Sequence, residues 1–187
     1  TGETTAGNVL PEGITDTGNA TLVDDGTGTP DDPNEDPDDD TPTLTVADAG
    51  TINEGDTATF DVSLSNPVDN TTTLTFALGG DIDGDDVGTP VATIGGTEVT
   101  VTDNGDGTFS FDVPAGTTDG IVISVPTSDD DVFEGPEALT LTATLSGETA
   151  AGSALPADLT DTGNATLVDD GTGTPDDPNE DPDDDTP

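Results

Sequence analysis

Thr59-Phe60-Asp61-Val62-Ser63-Leu64 alternates polar and apolar residues without a break. In an extended chain successive side chains point to opposite faces. Phe60, Val62 and Leu64 therefore share one face, and Thr59, Asp61 and Ser63 the other. The same period of two recurs along residues 43–170, in Leu74, Phe76 and Leu78, in Val99 and Val101, and in Phe109, Phe111 and Val113. It continues in Ile121, Ile123 and Val125 and in Leu139, Leu141, Ala143 and Leu145. Thr43–Val46 and Ala165–Val168 are expected as the first and last strands. Threonine fills many outward positions, which suits a strand better than a helix, and no segment carries a helical period. Asp103-Asn104-Gly105-Asp106-Gly107 lies between two strands and predicts a hairpin turn, its glycines supplying positive φ. The expected fold is all-β, an immunoglobulin-like two-sheet Greek-key sandwich. Phe60, Phe76, Phe109, Phe111 and Phe133, with Leu, Val and Ile, are enough for one modest core. The length in excess of such a domain is assigned to the Gly/Ala-rich loop 146–163.

Composition excludes more than it proposes. The 187 residues include 43 Asp and Glu and no Lys, Arg, His or Cys, a formal charge of −43. With 28% hydrophobic residues, such a charge normally signals disorder, and only the local alternation argues for a folded module. Without cysteine or histidine there is no disulfide framework, and zinc, copper and haem lose their usual ligands. Without cations, nucleic acid and anionic membrane surfaces are not expected as partners. No apolar run is long enough to span a bilayer and no signal peptide opens the chain.

Thr15–Pro42 recurs unchanged at Thr160–Pro187, an offset of 145 residues, and the likeness extends upstream through Gly2-Glu3-Thr4 and Gly147-Glu148-Thr149. A near-identical long repeat means an array of like modules. Residues 1–25 are then the tail of a preceding module and 26–42 an acidic, Pro-rich linker. Residues 43–170 are one complete module and 171–187 the next linker, so the chain has the character of a piece of a larger protein. Four prolines and self-repelling aspartates per linker predict extended spacers, at about 3.1 Å per residue where polyproline II forms. Residues 1–25 nearly duplicate 146–170. They suit the last-strand place of a second copy, as a swapped dimer or chain, or else they fray.

The densest acidity is Asp129-Asp130-Asp131-Val132-Phe133-Glu134-Gly135-Pro136-Glu137. Two carboxylates about 4 Å apart repel by roughly 4 kcal/mol at an effective dielectric near 20. Such a cluster must recruit a cation, protonate, or splay into water. A hard divalent ion with oxygen ligands, calcium, is the sharp expectation, and a solvated acidic loop the bland one. Other acids also fall just outside strand ends, in Glu54-Gly55-Asp56, in Asp81-Ile82-Asp83-Gly84-Asp85-Asp86 and in Asp169-Asp170. Alternate strand ends of a sandwich share a pole, where these groups would meet.

The order Glu54-Gly55-Asp56, an Asp-Gly loop, Pro114-Ala115-Gly116-Thr117, Asp129–Glu134 and Ala165-Thr166-Leu167-Val168-Asp169-Asp170 resembles the Calx-beta domain, a calcium-binding β-sandwich family. The resemblance covers most of 43–170 and implies calcium ligation by Glu54, Asp83 (or Asp81), Asp130, Asp131, Glu134, Asp169 and Asp170. Spacing alone does not choose among Asp81, Asp83 and Asp85. Gly171 stands where the family favours a third acid. An EF-hand at 81–92 fails, because Asp86 replaces the glycine and Ala92 the bidentate glutamate. A single Gly79-Gly80-Asp81-Ile82-Asp83 is no stacked nonapeptide array.

Together with the repeat, this resembles the extender regions of large bacterial adhesins secreted by type I (RTX) systems. The expected role is a calcium-stabilised structural spacer, secreted to the cell surface, whose neighbours are identical repeats and which takes no small-molecule substrate. A carbohydrate- or protein-binding sandwich is the alternative, although no Trp or Tyr offers a stacking platform or hot spot. A salt-adapted acidic repeat is another, and predicts acids spread evenly over the strand faces. An enzyme is not expected. Glu134 and Glu137 match a glycosidase pair only in residue type, and no aromatic subsite, base-assisted nucleophile or phosphate clamp accompanies them.

Overall fold

A computed structural model describes residues 6, 16–20, 41–82, 84–128 and 135–168. The chain divides into two units, Thr1–Asp40 and Thr41–Pro187. In the first, Asp16–Ala20 are exposed and belong to no strand.

In the second unit, the period-two segments form strands that stack as two sheets. One sheet runs β1 (Leu44–Val46), β3 (Thr57–Leu64), β9 (Ile121–Pro126), β5 (Val91–Ile94) and β6 (Thr97–Val99), in that spatial order. The other runs β2 (Gly50–Asn53), β11 (Thr160–Val168), β10 (Glu137–Ser146), β4 (Thr72–Gly80), β8 (Thr108–Val113) and β7 (Thr102–Asp103). The neighbours pair antiparallel except β11 and β2, which run parallel with Ala165 opposite Gly50 and Val168 opposite Asn53. The all-β, two-sheet sandwich expected from alternation is the observed fold. β2, β5 and β7 have no counterpart among the expected strands, being two to four residues long and too short to show a period.

The inward residues make one core. Phe60 and Ile123 from one sheet, and Leu74, Phe76, Leu139 and Leu141 from the other, are essentially inaccessible to solvent. The Phe76 ring stacks on Phe109 at 5.4 Å and meets Phe111 edge-on at 6.2 Å. Phe60, Phe76 and Phe111 are buried as expected, Phe109 is only half-buried, and Phe133 lies outside the described residues. The hairpin at 103–107 also forms. Asn104 N–H donates to the Thr108 carbonyl at 3.0 Å, and Gly105 and Gly107 take φ of 78° and 87°, which disfavours residues with a Cβ. The hydroxyl of Thr108, and then its N–H, donate to Asp106 and hold that carboxyl below its usual range.

The expected loop 146–163 is shorter in the structure, because β11 already starts at Thr160. Gly163 is a strand residue that passes beneath the β1–β2 connection. A Cβ there would lie 2.7 Å from the Ala47 carbonyl oxygen and from Val46 Cγ1, and 3.0 Å from Phe60 Cδ1. Absence of a side chain lets the two chain segments approach and bond. Asp161 Oδ2 accepts from Val46 N–H at 2.8 Å, and Ala49 N–H donates to the Asn164 carbonyl at 2.9 Å. Asp48 Oδ1 accepts the backbone N–H and the side-chain amide of Asn164, at 2.8 and 3.0 Å.

Those bonds from Asn164, the backbone one first, hold the Asp48 carboxyl below its ordinary value of 3.8. A lowered folded pKa contributes stability above the unfolded value, and that contribution is lost as pH falls through the folded value. Acidification below 3.8 is thus expected to lower the protection of the Asn164 amide, its exchange rate taken relative to the intrinsic rate at the same pH, and Asp48→Asn to remove that step. An unchanged acid response in Asp48→Asn would refute it. The local amide is the right readout, because neutralising the many other acids acts on global stability in the opposite direction.

The outward positions of β4, β10 and β11 carry no acid. They hold Thr73, Thr75, Thr140, Thr142, Thr144, Thr160, Thr162, Asn164 and Thr166 with small residues, and hydroxyls bond across strands at Thr142–Thr162 (2.9 Å) and Thr144–Thr160 (3.1 Å). The even scatter of acids that salt adaptation predicts is absent from this face. Most of the described acids instead sit on connections and strand ends, such as Asp48, Glu54, Asp81, Asp106 and Asp158, while Asp61, Glu98, Asp112 and Asp161 lie within strands. Uncompensated repulsion among 43 acids should still weaken the folded state. The screening length falls from about 10 Å at 0.1 M salt to about 3 Å at 1 M. The melting temperature is therefore expected to rise over that range of NaCl; a flat or falling trend would contradict it.

Candidate functional site

At the β4 end of the sandwich the chain leaves the six-stranded sheet, and residues 81–82 and 84–90 lead to β5. Gly88 N–H donates to the Pro126 carbonyl at 2.8 Å, and Val87 bridges to Thr127, which fastens this crossing to the end of β9. Between the crossing, the end of β4 and the β7–β8 hairpin lies a recess of about 470 Å³, a volume within the range of small-ligand and side-chain pockets. Leu78, Ile82, Val87 and Pro90 form its apolar wall, with the half-buried Phe109 ring. Thr89 and Asp103 are the polar residues of the lining. Asp103 Oδ1 accepts the Gly105 N–H at 2.8 Å, so the hairpin turn fixes the carboxylate of this lining residue. Val91, next along the chain from Pro90, is 43% exposed, the large hydrophobic side chain that the fold leaves most open among the described residues.

The expected calcium site is not found there or elsewhere in the described chain. Among the described residues no three His, Cys, Asp or Glu side chains come together to hold a metal ion. The expectation of calcium as a cofactor, and of a calcium-stabilised spacer, is corrected accordingly. Of the eight candidate ligands, Glu54 and Asp81 are described, whereas Asp83, Asp130, Asp131, Glu134, Asp169 and Asp170 lie outside the described residues. Glu54 follows β2 and its N–H donates to the Val168 carbonyl at 2.9 Å; Asp81 follows β4 and its N–H donates to the Ala138 carbonyl at 2.8 Å. Both leave the sandwich at one pole, as the alternation of strand directions requires. However, β11 and β10 stand between β2 and β4, a separation of about 14 Å at 4.7–4.9 Å per strand. The register adds about 10 Å along the strands. Ligands of one calcium ion all lie about 2.3–2.6 Å from it, so these two carboxylates do not share an ion.

The recess escapes sequence reading because its walls come from separate segments. Phe109 falls on the inward phase of β8, and Ile82 and Val87 sit singly in an acidic connection. The one signal in the sequence is that isolated apolar pair within residues 81–90.

No family model matches the chain, and no curated protein matches it. Among solved structures, it is similar to a cohesin module from the family 33 glycoside hydrolase of Clostridium perfringens ATCC13124. That likeness has 9% identity and a TM-score of 0.49 over 69% of this chain and 98% of that one. It is also similar to a non-cellulosomal cohesin from the hyperthermophilic archaeon Archaeoglobus fulgidus, with 12% identity and a TM-score of 0.40 over 69% and 91%. Likenesses at this level carry no functional information. The Calx-beta and RTX-adhesin resemblance is corrected to the coarser statement that the chain is an all-β, two-sheet sandwich.

Proposed function

We propose that this chain is a non-enzymatic, protein-binding β-sandwich module of an extracellular repeat protein, and that its recess takes a basic, apolar segment of a partner. The observation that carries this reading is the apolar recess beside Phe109, with Asp103 in its lining. An apolar wall supplies burial, and the carboxylate selects by charge. A charge of −43 without one cation attracts basic partners over a distance and repels acidic ones. The lining suits a peptide better than a sugar, since Leu, Ile, Val and Pro offer few hydrogen-bonding groups to hydroxyls.

Titration of the isotope-labelled chain with short Lys/Leu-rich and Glu/Leu-rich peptides tests the reading by NMR. The basic peptide is expected to shift the amides of Ile82, Val87 and Phe109, the acidic one to shift none, and Phe109→Ala to weaken the basic peptide about tenfold, equivalent to 1.4 kcal/mol. Shifts spread over the whole acidic surface, or undiminished in Phe109→Ala, would reduce the interaction to non-specific charge attraction and overturn the proposal.

A further inference from the structure

The outer faces of the two sheets differ in charge. On the five-stranded sheet Asp61 is exposed on the interior strand β3 and Glu98 on the edge strand β6. On the six-stranded sheet the threonine face of β4, β10 and β11 carries no acid, and Thr51 of β2, opposite Thr166, extends it. Among the described residues, acids meet this face at its border. Asp112 of β8 pairs with Thr73, and Asp48 on the β1–β2 connection is bonded to Asn164. In a chain of 43 acids and no cation, an acidic surface of one copy repels the acidic surfaces of another. The threonine face is neutral, and it is also complementary to itself. Each hydroxyl both donates and accepts a hydrogen bond, and each branched side chain adds a methyl group that packs against its like.

We propose that this face is a self-association surface, on which the same face of a second copy of this chain docks. Two copies stacked this way bring neutral residues into contact and keep their acids at the rim, where salt screens them. Strands of nine or ten residues at about 3.4 Å per residue, over a sheet width of about 14 Å, offer roughly 400 Å² per copy. A stable complex buries about 1,200–2,000 Å² in total, so one module associates weakly and transiently. Chains that carry several modules would add such contacts side by side. A basic partner gains nothing from a face without charge, which separates this surface from the recess of the proposed function.

Sedimentation equilibrium of the full chain at about 1 mM is the test, with amide shifts followed by NMR on dilution. The association constant is expected to rise roughly tenfold or more between about 0.1 M and 1 M NaCl, as the screening length shrinks; binding of a basic peptide at the recess would weaken over the same range. Thr142 and Thr59 are exposed, outward residues on interior strands of the two sheets. Thr142→Asp puts a charge at the centre of the face, where it meets its own copy across a two-fold axis. It is expected to lower the constant roughly tenfold or more. Thr142→Asn has the same shape without the charge and also lacks the hydroxyl bonded to Thr162, yet should associate nearly as the parent does. Thr59→Asp adds the same charge to the other face and should change the constant by less than about twofold. The shifts on dilution should fall on β4, β10 and β11 and spare Phe109. A chain monomeric at about 1 mM in 1 M NaCl, equal constants for Thr142→Asp and Thr142→Asn, or shifts confined to the recess would overturn the proposal.

Discussion

Phe60→Ala is expected to cost about 3–5 kcal/mol of folding stability, with a fall in melting temperature of about 10–20 °C for a module of this size. Phe60 sits on β3, an interior strand of its sheet, opposite Ile123 on β9, and is inaccessible to solvent. It also fills the space over Gly163, so its removal leaves a cavity shared by both sheets. The surroundings cannot collapse into that cavity without shifting strands that are hydrogen-bonded on both sides. Urea unfolding followed by circular dichroism is the check, and the midpoint should fall without a change of slope. Phe109→Ala makes the internal comparison. That ring is half-buried at the recess, so its loss should cost clearly less stability while affecting peptide binding. Equal costs at the two sites would contradict the assignment of Phe60 to the core and Phe109 to the recess.

Gly163→Val is the second large effect, in the opposite steric sense. The added Cβ meets the Ala47 carbonyl oxygen at 2.7 Å, and a backbone oxygen cannot rotate aside as a side chain can. Relief requires the β1–β2 connection to lift away, which also strains the bonds of Val46, Ala49 and Asp48 to β11. The expected loss is about 3 kcal/mol or more, at the upper end of overpacking. Amide exchange at Val46 and Ala49 should rise beyond the global change. Gly18→Val is the matched control, with the same substitution in an identical sequence and open surroundings. Its folding stability is expected to stay within about 0.5 kcal/mol of the parent's. A Gly163→Val chain as stable as Gly18→Val would show that β11 does not pass beneath residues 46–47.

How much is legible from the chain alone depends on whether the responsible force acts locally. Alternation in 59–64, 74–78, 121–125 and 139–145 reports which face each strand buries, because pleating sends neighbouring side chains to opposite sides whatever the rest of the molecule does. The strand-rich sandwich, its core phenylalanines and the Asn104–Gly107 turn follow from that rule and from backbone sterics. Nothing comparable marks β2, with Ile52 as its one large apolar residue, or β7, with two residues; both exist because a longer neighbour offers them hydrogen bonds. The acidic clusters mislead for a related reason. Repulsion between carboxylates depends on distance, and sequence proximity to a strand end specifies the pole but not the position along its rim. Only the strand order places β11 and β10 between Glu54 and Asp81 and denies them a common ion. The recess at Phe109 and the glycine requirement at 163 are likewise properties of segments far apart in the chain. Periodicity determined the strands and their buried faces, because it arises within a few residues. Strand order and sheet stacking alone decided which side chains became neighbours, because those neighbours are made by packing across the fold.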